Sequence, residues 1–489
     1  MNCNRTAGRI LFSMTILALV FTVAACSNNG NAKSSLSNPV TSPFAMHEVR
    51  FTNQDMNEAA AMQDIGAKTA RISPSGSLIW DLIEQQKGVY DWTASDAVIG
   101  AGYADGIALF VGVKAQNRLE GTAPGSGVLP KDMEWYLQFL RSAVERYDGD
   151  GVDDAAGSPR IDVIQIGNEL DGPAFWQDTP ENYALLLKRS YQTVKEAAPG
   201  MRVAIGGVAT PRGYYDFYQP VLAELDRIKD HPGDRYFDIF DLHWSGQFNG
   251  DDDYDVISLP TGSYDLKALL ADVRSDLTSI GYTNVPFYIT EISDYSDTPA
   301  GYTNHTETYH AAAVIKRYMY ALAAGIEKIF WAQVFEGHSA GVAADGYFEN
   351  VGLINNPLNA DGCSHKKLAY YAYKKMTEML EKSDWKNIQV VQDADNVRIY
   401  RFAKSGKTVY AGWWDYLRDP GYAVGLSKAV TIAGVQGTSI RTTEAVPQFS
   451  SGANVIDYAT AFATTSAVVE NSRITITLTT TPVYIEVLP

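Results

Sequence analysis

The sequence predicts an α/β fold in which a (β/α)8 barrel is followed by a C-terminal antiparallel β-sandwich. Between residues 44 and 385, eight short apolar runs alternate with helical patterns, as expected for eight β-then-α units with insertions. Two of these runs end in a glutamate, and the hydrophobic period changes to two residues after Trp385. A doubly wound open sheet is the alternative, but no Gly-x-Gly-x-x-Gly follows the first predicted strand.

Residues 1–25 have the form of a targeting segment. Arg5 and Arg9 precede an apolar run that ends at Ala25 and is too short and wrongly flanked to span a membrane. Val23-Ala24-Ala25 before Cys26 resembles a bacterial lipoprotein signal, which implies cleavage before Cys26 and lipidation of its thiol. An ordinary signal peptide is the alternative. Residues 26–43 are small and polar, and we expect a flexible tether there.

Charge and cysteine content exclude several classes of protein. The formal net charge of -17 argues against a nucleic-acid partner, because nucleic-acid binders carry basic patches. Hydrophobic residues make up 46% of the chain, which is enough for a full core. Once Cys3 is cleaved off and Cys26 is lipidated, only Cys363 remains, so no intrachain disulfide is expected. We interpret Cys363 as a structural or incidental thiol.

The barrel elements are predicted from local periodicity. Lys131 to Tyr147 is a typical helix, with Leu137, Leu140 and Val144 on one face. Similar helices are predicted at residues 182–198, 306–324 and 366–382. The predicted strands are residues 47–52, 67–72, 108–113, 161–167, 202–206, 237–243, 285–290 and 326–332.

Residues 386–489 are predicted to form the β-domain. Two alternating runs, 397–402 and 407–414, flank a Ser405-Gly406 turn and indicate a hairpin. Residues 473–479 place Ile474, Ile476 and Leu478 on one face, and residues 483–487 form the last predicted strand.

Polar side chains follow two of the apolar barrel runs. Gly167-Asn168-Glu169 ends the fourth predicted strand, and Glu291 ends the seventh. The carboxyl ends of barrel strands carry the active site in this fold. A pair of carboxyl groups is also what most enzymes that cleave a glycosidic bond require. Either glutamate alone is more often a solvated loop residue, so the prediction depends on the pair.

The ordered set of residues resembles the clan A glycoside hydrolases, which are retaining (β/α)8 enzymes. The resemblance covers most of residues 45 to 385 and is nearest to members around family 39. One departure is that many clan members carry a tyrosine near the position of His243, where this chain has His243-Trp-Ser-Gly-Gln247. The segments that carry the resemblance are Gly66–Arg71, Trp80, Gly88–Trp92, Asp96, Gly106-Ile107, Arg146–Asp153, Asn168-Glu169, His243-Trp244, Glu291 and Trp331.

The resemblance implies a role for each matching residue. Glu169 is the acid/base, and Glu291 is the nucleophile that forms a glycosyl-enzyme ester. Asn168 holds the sugar 2-hydroxyl, and Arg71 keeps the nucleophile ionised. Further substrate contacts are expected from four residues that could also be packing residues: His243, Trp244, Trp331 and Trp80.

Two acidic clusters have both a plain and a sharper interpretation. Asp148, Asp150, Asp153 and Asp154 could bind calcium, but the spacing lacks the glutamate of an EF-hand, so a solvated loop is preferred. Residues 251–253 are three aspartates after strand six; they are either a solvated loop or an attraction for a cationic sugar.

These observations predict a monomeric, lipid-anchored retaining glycosidase without a metal or other cofactor. It would act on a poly- or oligosaccharide at the cell envelope, on the outer membrane, the cell surface or the periplasmic side. The alternatives are a non-catalytic glycan-binding or export lipoprotein, and a transglycosylase that uses the same carboxylate pair.

Overall fold

The computed structural model describes residues 41–489 except 54–55, 73–75, 122–126, 247–253, 300, 338–345, 359–364 and 416–425. Five sequence predictions therefore lie wholly or mostly outside the described residues: the signal segment, Cys26, the tether at residues 26–43, Cys363 and the aspartates at 251–253. Among the described helices, none combines the length and the apolarity that crossing a bilayer requires.

A parallel barrel forms the first part of the described chain. Its eight strands are β1 (Phe44–Val49), β2 (Thr69–Ile72), β4 (Ala108–Lys114), β5 (Val163–Ile166), β6 (Arg202–Ile205), β7 (Phe240–His243), β10 (Phe287–Ile292) and β11 (Lys328–Trp331). They follow one another in the order β6-β5-β4-β2-β1-β11-β10-β7, and the short β3 (Leu78–Ile79) pairs with β4. Parallel bridges Ala204–Ile239 and Val208–Leu242 join β6 to β7, so the sheet closes on itself.

Helices surround the barrel and begin where the sequence provides caps. Asp132 and Thr179 each accept a backbone N–H in the first turn of their helix, which satisfies groups that a helix start leaves unpaired. The helices are α1 (Glu58–Ile65), α2 (Trp80–Ile83), α3 (Thr93–Ala104), α4 (Met133–Arg146), α5 (Pro180–Ala197), α6 (Pro211–Gly213), α7 (Gln219–Arg227), α8 (Leu266–Ser279), α9 (Glu307–Ala323) and α10 (Leu368–Leu380). A hairpin of β8 (Val256–Leu259) and β9 (Gly262–Asp265) is inserted after β7.

The barrel interior consists of an apolar layer below a polar one. Seven buried side chains from seven strands form the apolar cluster: Ala45, Phe110, Val163, Ala204, Ile239, Tyr288 and Phe330. Side chains alternate along a strand, so residues two positions further on also face inward. At four strands these are the polar residues His47, Gln165, Asp241 and Thr290. The apolar layer thus supports a polar layer at the carboxyl ends of the strands.

The C-terminal region is antiparallel. It contains β12 (Gln389–Ala394), β13 (Val397–Lys404), β14 (Lys407–Trp414), β15 (Lys428–Ala433), β16 (Ser439–Glu444), β17 (Thr464–Val468), β18 (Arg473–Leu478) and β19 (Val483–Leu488). Six strands form a sheet in the order β12-β13-β14-β19-β16-β17, and β15 pairs with β18. Ile474, Ile476 and Leu478 are buried in the core between them, as their alternation predicts. Tyr400 and Trp413 belong to the same buried hydrophobic cluster as apolar side chains of the barrel helices.

The predicted fold class is confirmed, and one strand was placed too late. The structure has all eight predicted barrel strands, but the first is Phe44–Val49 rather than residues 47–52. Glu48 has a φ of 57°, and the Arg50 N–H donates to the Glu58 carboxylate at 2.9 Å instead of to a neighbouring strand. The chain therefore leaves the sheet before Phe51.

Candidate active site

A cavity of about 390 Å³ opens at the carboxyl ends of the barrel strands, within the size range of small-molecule sites. Charged and polar side chains from several strands meet in it, together with two phenylalanines. Its lining includes His47, Glu48, Arg50, Arg71, Ser77, Lys114, Asn168, Phe175, Glu291, Gln333, Phe348 and Glu349.

Glu169 reaches this region through a tight turn after β5. Gly167 has a φ of 82° and Glu169 a φ of 48°, and a Cβ on Gly167 would lie 2.9 Å from Leu170 Cδ2. Glycine is therefore required at this turn. The left-handed backbone of Glu169 is uncommon for a residue with a side chain, and such conformations concentrate at functional sites. Its Oε1 lies 2.7 Å from His243 Nδ1.

Glu291 projects inward from an irregular part of β10. Its pairing with β7 shifts register between Ile289 and Glu291; such a bulge lets consecutive residues contact the interior. Arg71 NH1 donates to Glu291 Oε1 at 2.6 Å. His47 Nε2 and His243 Nε2 each lie 3.6 Å from the same oxygen.

The charge around Glu291 favours its ionised form. Burial alone would raise the pKa of this carboxyl, but the positive charges of His243 and Arg71 hold the pKa well below its usual range. Burial also lowers the pKa of His47 to about 3, against the pull of Glu291. Because His47 is then neutral at pH 7, the positive charge that keeps Glu291 ionised comes from Arg71 and His243.

The two carboxylates stand close enough to act on one bond. Glu169, His243 and Glu291 each offer an oxygen or nitrogen within 4.8 Å of the others. Carboxyl groups about 5–5.5 Å apart are typical of retaining glycosidases, and wider pairs are typical of inverting ones. Such spacing also occurs around metals, but the Arg71 guanidinium already supplies a cation at 2.6 Å from Glu291.

Arg71 connects the nucleophile position to the strands around it. It is 6% exposed, and its NH2 group donates to Gln165 Oε1 at 2.9 Å and, by a short hydrogen bond, to Asn168 Oδ1. With its oxygen engaged by Arg71, the Asn168 amide nitrogen is left to donate into the cavity. The structure thus brings Arg71, Asn168, Glu169, His243 and Glu291 together at one end of the barrel, and their individual roles stay predictions.

The three predicted tryptophans are placed differently, and their predicted role as sugar contacts is wrong. Trp80 is 0% exposed, and its indole N–H donates to Glu84 at 2.6 Å. Trp244 is 2% exposed and donates to the Tyr254 carbonyl at 2.7 Å. Trp331 is 0% exposed and its ring stacks with those of His310 and Tyr318. A fully covered ring has no face to offer a sugar.

Other residues of the cavity were not predicted. Phe348 is 50% exposed and Phe175 is half-buried, and both line the cavity. Lys114, at the end of β4, also lines it, and burial together with Arg71 lowers the pKa of its ammonium. His47 occupies a position against Glu291 to which the sequence assigned no role. Among the described residues, the side chains that contact Glu291 are Arg71, His47 and His243, and none of these is a tyrosine.

The acidic cluster before β5 is interpreted as a self-capped loop. Asp148, Asp150 and Asp154 lie within 4.8 Å of one another. Asp154 accepts the Gly149 and Gly151 N–H groups at 3.3 and 2.7 Å, and Asp148 accepts the Asp150 N–H at 3.1 Å. The loop precedes β5, so it lies at the end of the barrel away from the cavity.

Comparison with solved structures places the fold. The chain is similar to a family 39 glycoside hydrolase from Bacteroides cellulosilyticus WH2 (TM-score 0.66, 18% identity, covering 92% of this chain and 82% of that one). It is also similar to a family 39 enzyme from Xanthomonas axonopodis pv. citri (0.60, 16%, 92% and 94%). A monomeric β-xylosidase from Caulobacter crescentus CB15 gives 0.59 and 14%, covering 92% and 96%.

No protein-family model matches the sequence, and no curated protein matches it. The likeness at these identities is one of fold. The resemblance to clan A glycoside hydrolases seen in the motifs therefore extends to the architecture of the whole described chain.

Proposed function

We propose that this protein is a retaining glycoside hydrolase in which Glu169 is the acid/base and Glu291 the nucleophile. The observation that carries the proposal is the carboxylate pair at the carboxyl ends of the barrel strands, in which one oxygen of Glu169 lies within 4.8 Å of one oxygen of Glu291 and the two groups have different neighbours. Arg71 holds Glu291 as a carboxylate, ready to attack. Glu169 faces an imidazole instead and can hold or release a proton.

The reaction proceeds in two displacements. Glu169 protonates the glycosidic oxygen as the bond to the anomeric carbon breaks, and Glu291 attacks that carbon to form an ester. Glu169 then takes a proton from water, whose oxygen attacks the same carbon and releases Glu291. Asn168 donates its amide to the sugar hydroxyl beside the reacting carbon.

The cavity favours a carbohydrate substrate. Phe175 and Phe348 present apolar faces for the C–H faces of a sugar ring, while Lys114 and Asn168 offer donors to its hydroxyls.

We further propose that the enzyme is anchored to the cell envelope through lipid at Cys26 and acts outside the cytoplasm. The N-terminal sequence supports that placement, and labelling with a radioactive fatty acid in wild type and Cys26→Ala tests it.

Substitution of each carboxylate separates their roles. We expect Glu291→Ala to lose about 10⁴-fold or more in turnover, with partial recovery in azide to give a glycosyl azide of inverted configuration. Glu169→Ala should instead retain cleavage of 2,4-dinitrophenyl glycosides, whose leaving group needs no proton, and form an azide product of retained configuration. A screen of glycans and aryl glycosides, with products read by mass spectrometry, supplies the substrate.

Two results would contradict this assignment. Full activity of Glu291→Ala would exclude it as nucleophile. Release of the product with inverted configuration by the wild type would exclude the double displacement. Glu349→Ala is a matched control, because it removes a carboxylate that lines the same cavity without contacting the catalytic pair.

A further inference from the structure

A buried chain of polar groups runs from Glu169 into the barrel. Glu169 Oε1 lies 2.7 Å from His243 Nδ1, and His243 Nε2 lies 3.3 Å from the Thr290 hydroxyl oxygen. The same hydroxyl lies 2.7 Å from Asp241 Oδ2. Asp241 and Thr290 are 0% exposed and His243 is 6% exposed, so the hydrogen bonds are set by the protein groups themselves.

Asp241 fixes the direction of these hydrogen bonds. It accepts the Thr290 backbone N–H at 3.1 Å and the Gln165 side-chain amide. The Gln165 amide cannot be reversed, because its Oε1 accepts from Arg71 Nε at 3.1 Å. The 2.7 Å contact makes the Thr290 hydroxyl a further donor to Asp241, which leaves the Thr290 oxygen as an acceptor. His243 Nε2 must therefore carry the hydrogen.

The other neighbours of His243 Nε2 agree with that assignment. Glu291 Oε1 lies 3.6 Å away and Asp241 Oδ2 lies 3.9 Å away, and both are oxygen acceptors. With Nε2 protonated, neutral His243 has a lone pair at Nδ1. A 2.7 Å contact between that lone pair and a Glu169 carboxylate oxygen would join two acceptors, so a proton must lie between them.

We propose that Asp241 and Thr290 fix the tautomer of His243 so that the Glu169–His243 pair stores the proton that Glu169 donates to the glycosidic oxygen. The inference rests on the proposed function and deepens it. His243, Thr290 and Asp241 are positioning residues, because they act through Glu169 rather than on the sugar. They differ from the substrate contact that the sequence predicts for His243.

The proton balance is complete through both steps. In the first, the stored proton moves to the glycosidic oxygen, which leaves with the electron pair of the broken bond while Glu291 bonds to the anomeric carbon. Glu169 is then a carboxylate beside a neutral imidazole. In the second, a water proton returns to the pair, the water oxygen bonds to the anomeric carbon, and the ester electron pair returns to Glu291.

The charged groups that face His243 are consistent with storage of a proton. The titratable and charged groups around His243 are Glu169 after β5, Asp241 on the same strand β7, Glu291 on β10, Arg71 on β2 and the neutral His47 on β1. Burial alone would lower the pKa of His243, but Glu291, Glu169 and Asp241 outweigh burial and Arg71 and raise it.

Asp241 gives this arrangement a pH limit. Burial raises the pKa of Asp241 to about 6, against the effect of His243 and Arg71. Once Asp241 is protonated, the Thr290 hydroxyl is free to donate to Nε2. The hydrogen of His243 then moves to Nδ1 and binds Glu169 as a carboxylate.

The first test observes the imidazole directly and needs no substrate. The chain has seven histidines, so ¹⁵N-histidine labelling with His243→Gln for assignment isolates its two nitrogens by NMR. At pH 7.5 we expect a protonated Nε2 in the wild type and loss of that preference in Thr290→Val. An unprotonated Nε2 in the wild type would overturn the inference, even in an active enzyme.

The second test uses phenyl and 2,4-dinitrophenyl glycosides of the sugar that the wild type cleaves. In Thr290→Val, kcat/KM for the phenyl glycoside should fall about 10- to 100-fold and its alkaline limb should move to lower pH, as expected for weakened general-acid catalysis. The dinitrophenyl glycoside should change by less than about threefold, because its departure needs no proton. Thr290→Ser should restore the phenyl rate.

The outcomes separate the two proposals. Equal losses on both glycosides, or an unchanged pH profile, would overturn the stored proton while leaving the glycosidase intact. Absence of glycosidase activity together with a protonated Nε2 would overturn the proposed function while leaving the fixed tautomer of His243 intact.

Discussion

The two candidate catalytic carboxylates are equally exposed but differently surrounded. The side chains of Glu169 and Glu291 are both 24% exposed. Glu291 lies 2.6 Å from the guanidinium of Arg71, whereas Glu169 lies 2.7 Å from the imidazole of His243. Since the two side chains are equally exposed, their charge environments differ only through their neighbours. A permanent cation lies against Glu291 and favours its carboxylate form, whereas the nearest partner of Glu169 is an imidazole.

The difference arises from where each neighbour originates. Arg71 lies on β2 and is fixed by Gln165 on β5 and Asn168 after it, so its charge cannot move away from Glu291. His243 lies on β7 and contacts both carboxylates, one through each ring nitrogen. The same imidazole can therefore respond when Glu291 loses its charge in the ester.

Among changes to the neighbours of the two carboxylates, the largest effect should follow from removing the permanent cation. We expect Arg71→Met to lower kcat/KM about 100- to 1,000-fold, as for loss of one preorganised electrostatic contact. The pKa of Glu291 rises without Arg71, and only the ionised form attacks. Activity should therefore be lost at a higher pH on acidification, and the acid limb of the kcat/KM profile should move upward.

Arg202→Met is the matched control. Arg202 begins β6, at the other end of the barrel, and donates to the Tyr288 hydroxyl at 2.9 Å. Its loss should leave both limbs in place. If Arg71→Met left the acid limb unmoved, the proposed asymmetry between the two carboxylates would be wrong.

A smaller effect is expected from an uncharged side chain of the cavity, whose loss changes the charge around neither carboxylate. Phe348→Ala should raise KM about 10-fold through loss of roughly 1.4 kcal/mol of aromatic contact, with both pH limbs unchanged. Trp80→Phe should leave KM unchanged, because the Trp80 ring packs against Trp135 and its indole N–H donates a hydrogen bond to Glu84. A tenfold rise in KM for Trp80→Phe would reinstate it as a sugar contact.

The sequence predicted what depends on local pattern. Apolar runs of four to seven residues mark the strands of a buried parallel sheet, and all eight exist. Glu169 and Glu291 were predicted as a catalytic pair because strand ends and active sites coincide in this fold, and the structure places both at the carboxyl ends of their strands. The polar layer also has a signal in the sequence. Gln165, Asp241 and Thr290 are polar residues inside otherwise apolar strand runs, two positions beyond the apolar interior layer.

The remaining features depend on contacts between distant segments. Trp244 is covered because its indole N–H meets the Tyr254 carbonyl beside an inserted hairpin, which no local pattern predicts. His47 lies within the first predicted strand. The sequence assigned it no role because that strand was placed too late. Phe348 belongs to a loop after the last barrel strand, and its position over the cavity depends on that loop's path.

His47 provides the smallest and most discriminating change. It lies 3.6 Å from Glu291, but burial lowers its pKa to about 3, so it carries no charge between pH 5 and 8. His47→Asn should therefore move the acid limb of kcat/KM much less than Arg71→Met does. The folded state disfavours protonation of His47 and the unfolded state does not. Stability from this residue is consequently present above about pH 6.5 and lost as the pH falls toward 3.

The variant should show this as a weaker pH dependence of stability. We expect the loss of Tm between pH 7 and pH 4.5 to be smaller in His47→Asn than in the wild type, measured by calorimetry. A larger loss in the variant would mean that His47 is charged in the folded protein. Glu291 would then have three positive neighbours instead of Arg71 and His243 alone, and the contrast with Glu169 would rest on the number of positive neighbours instead of on the permanence of Arg71.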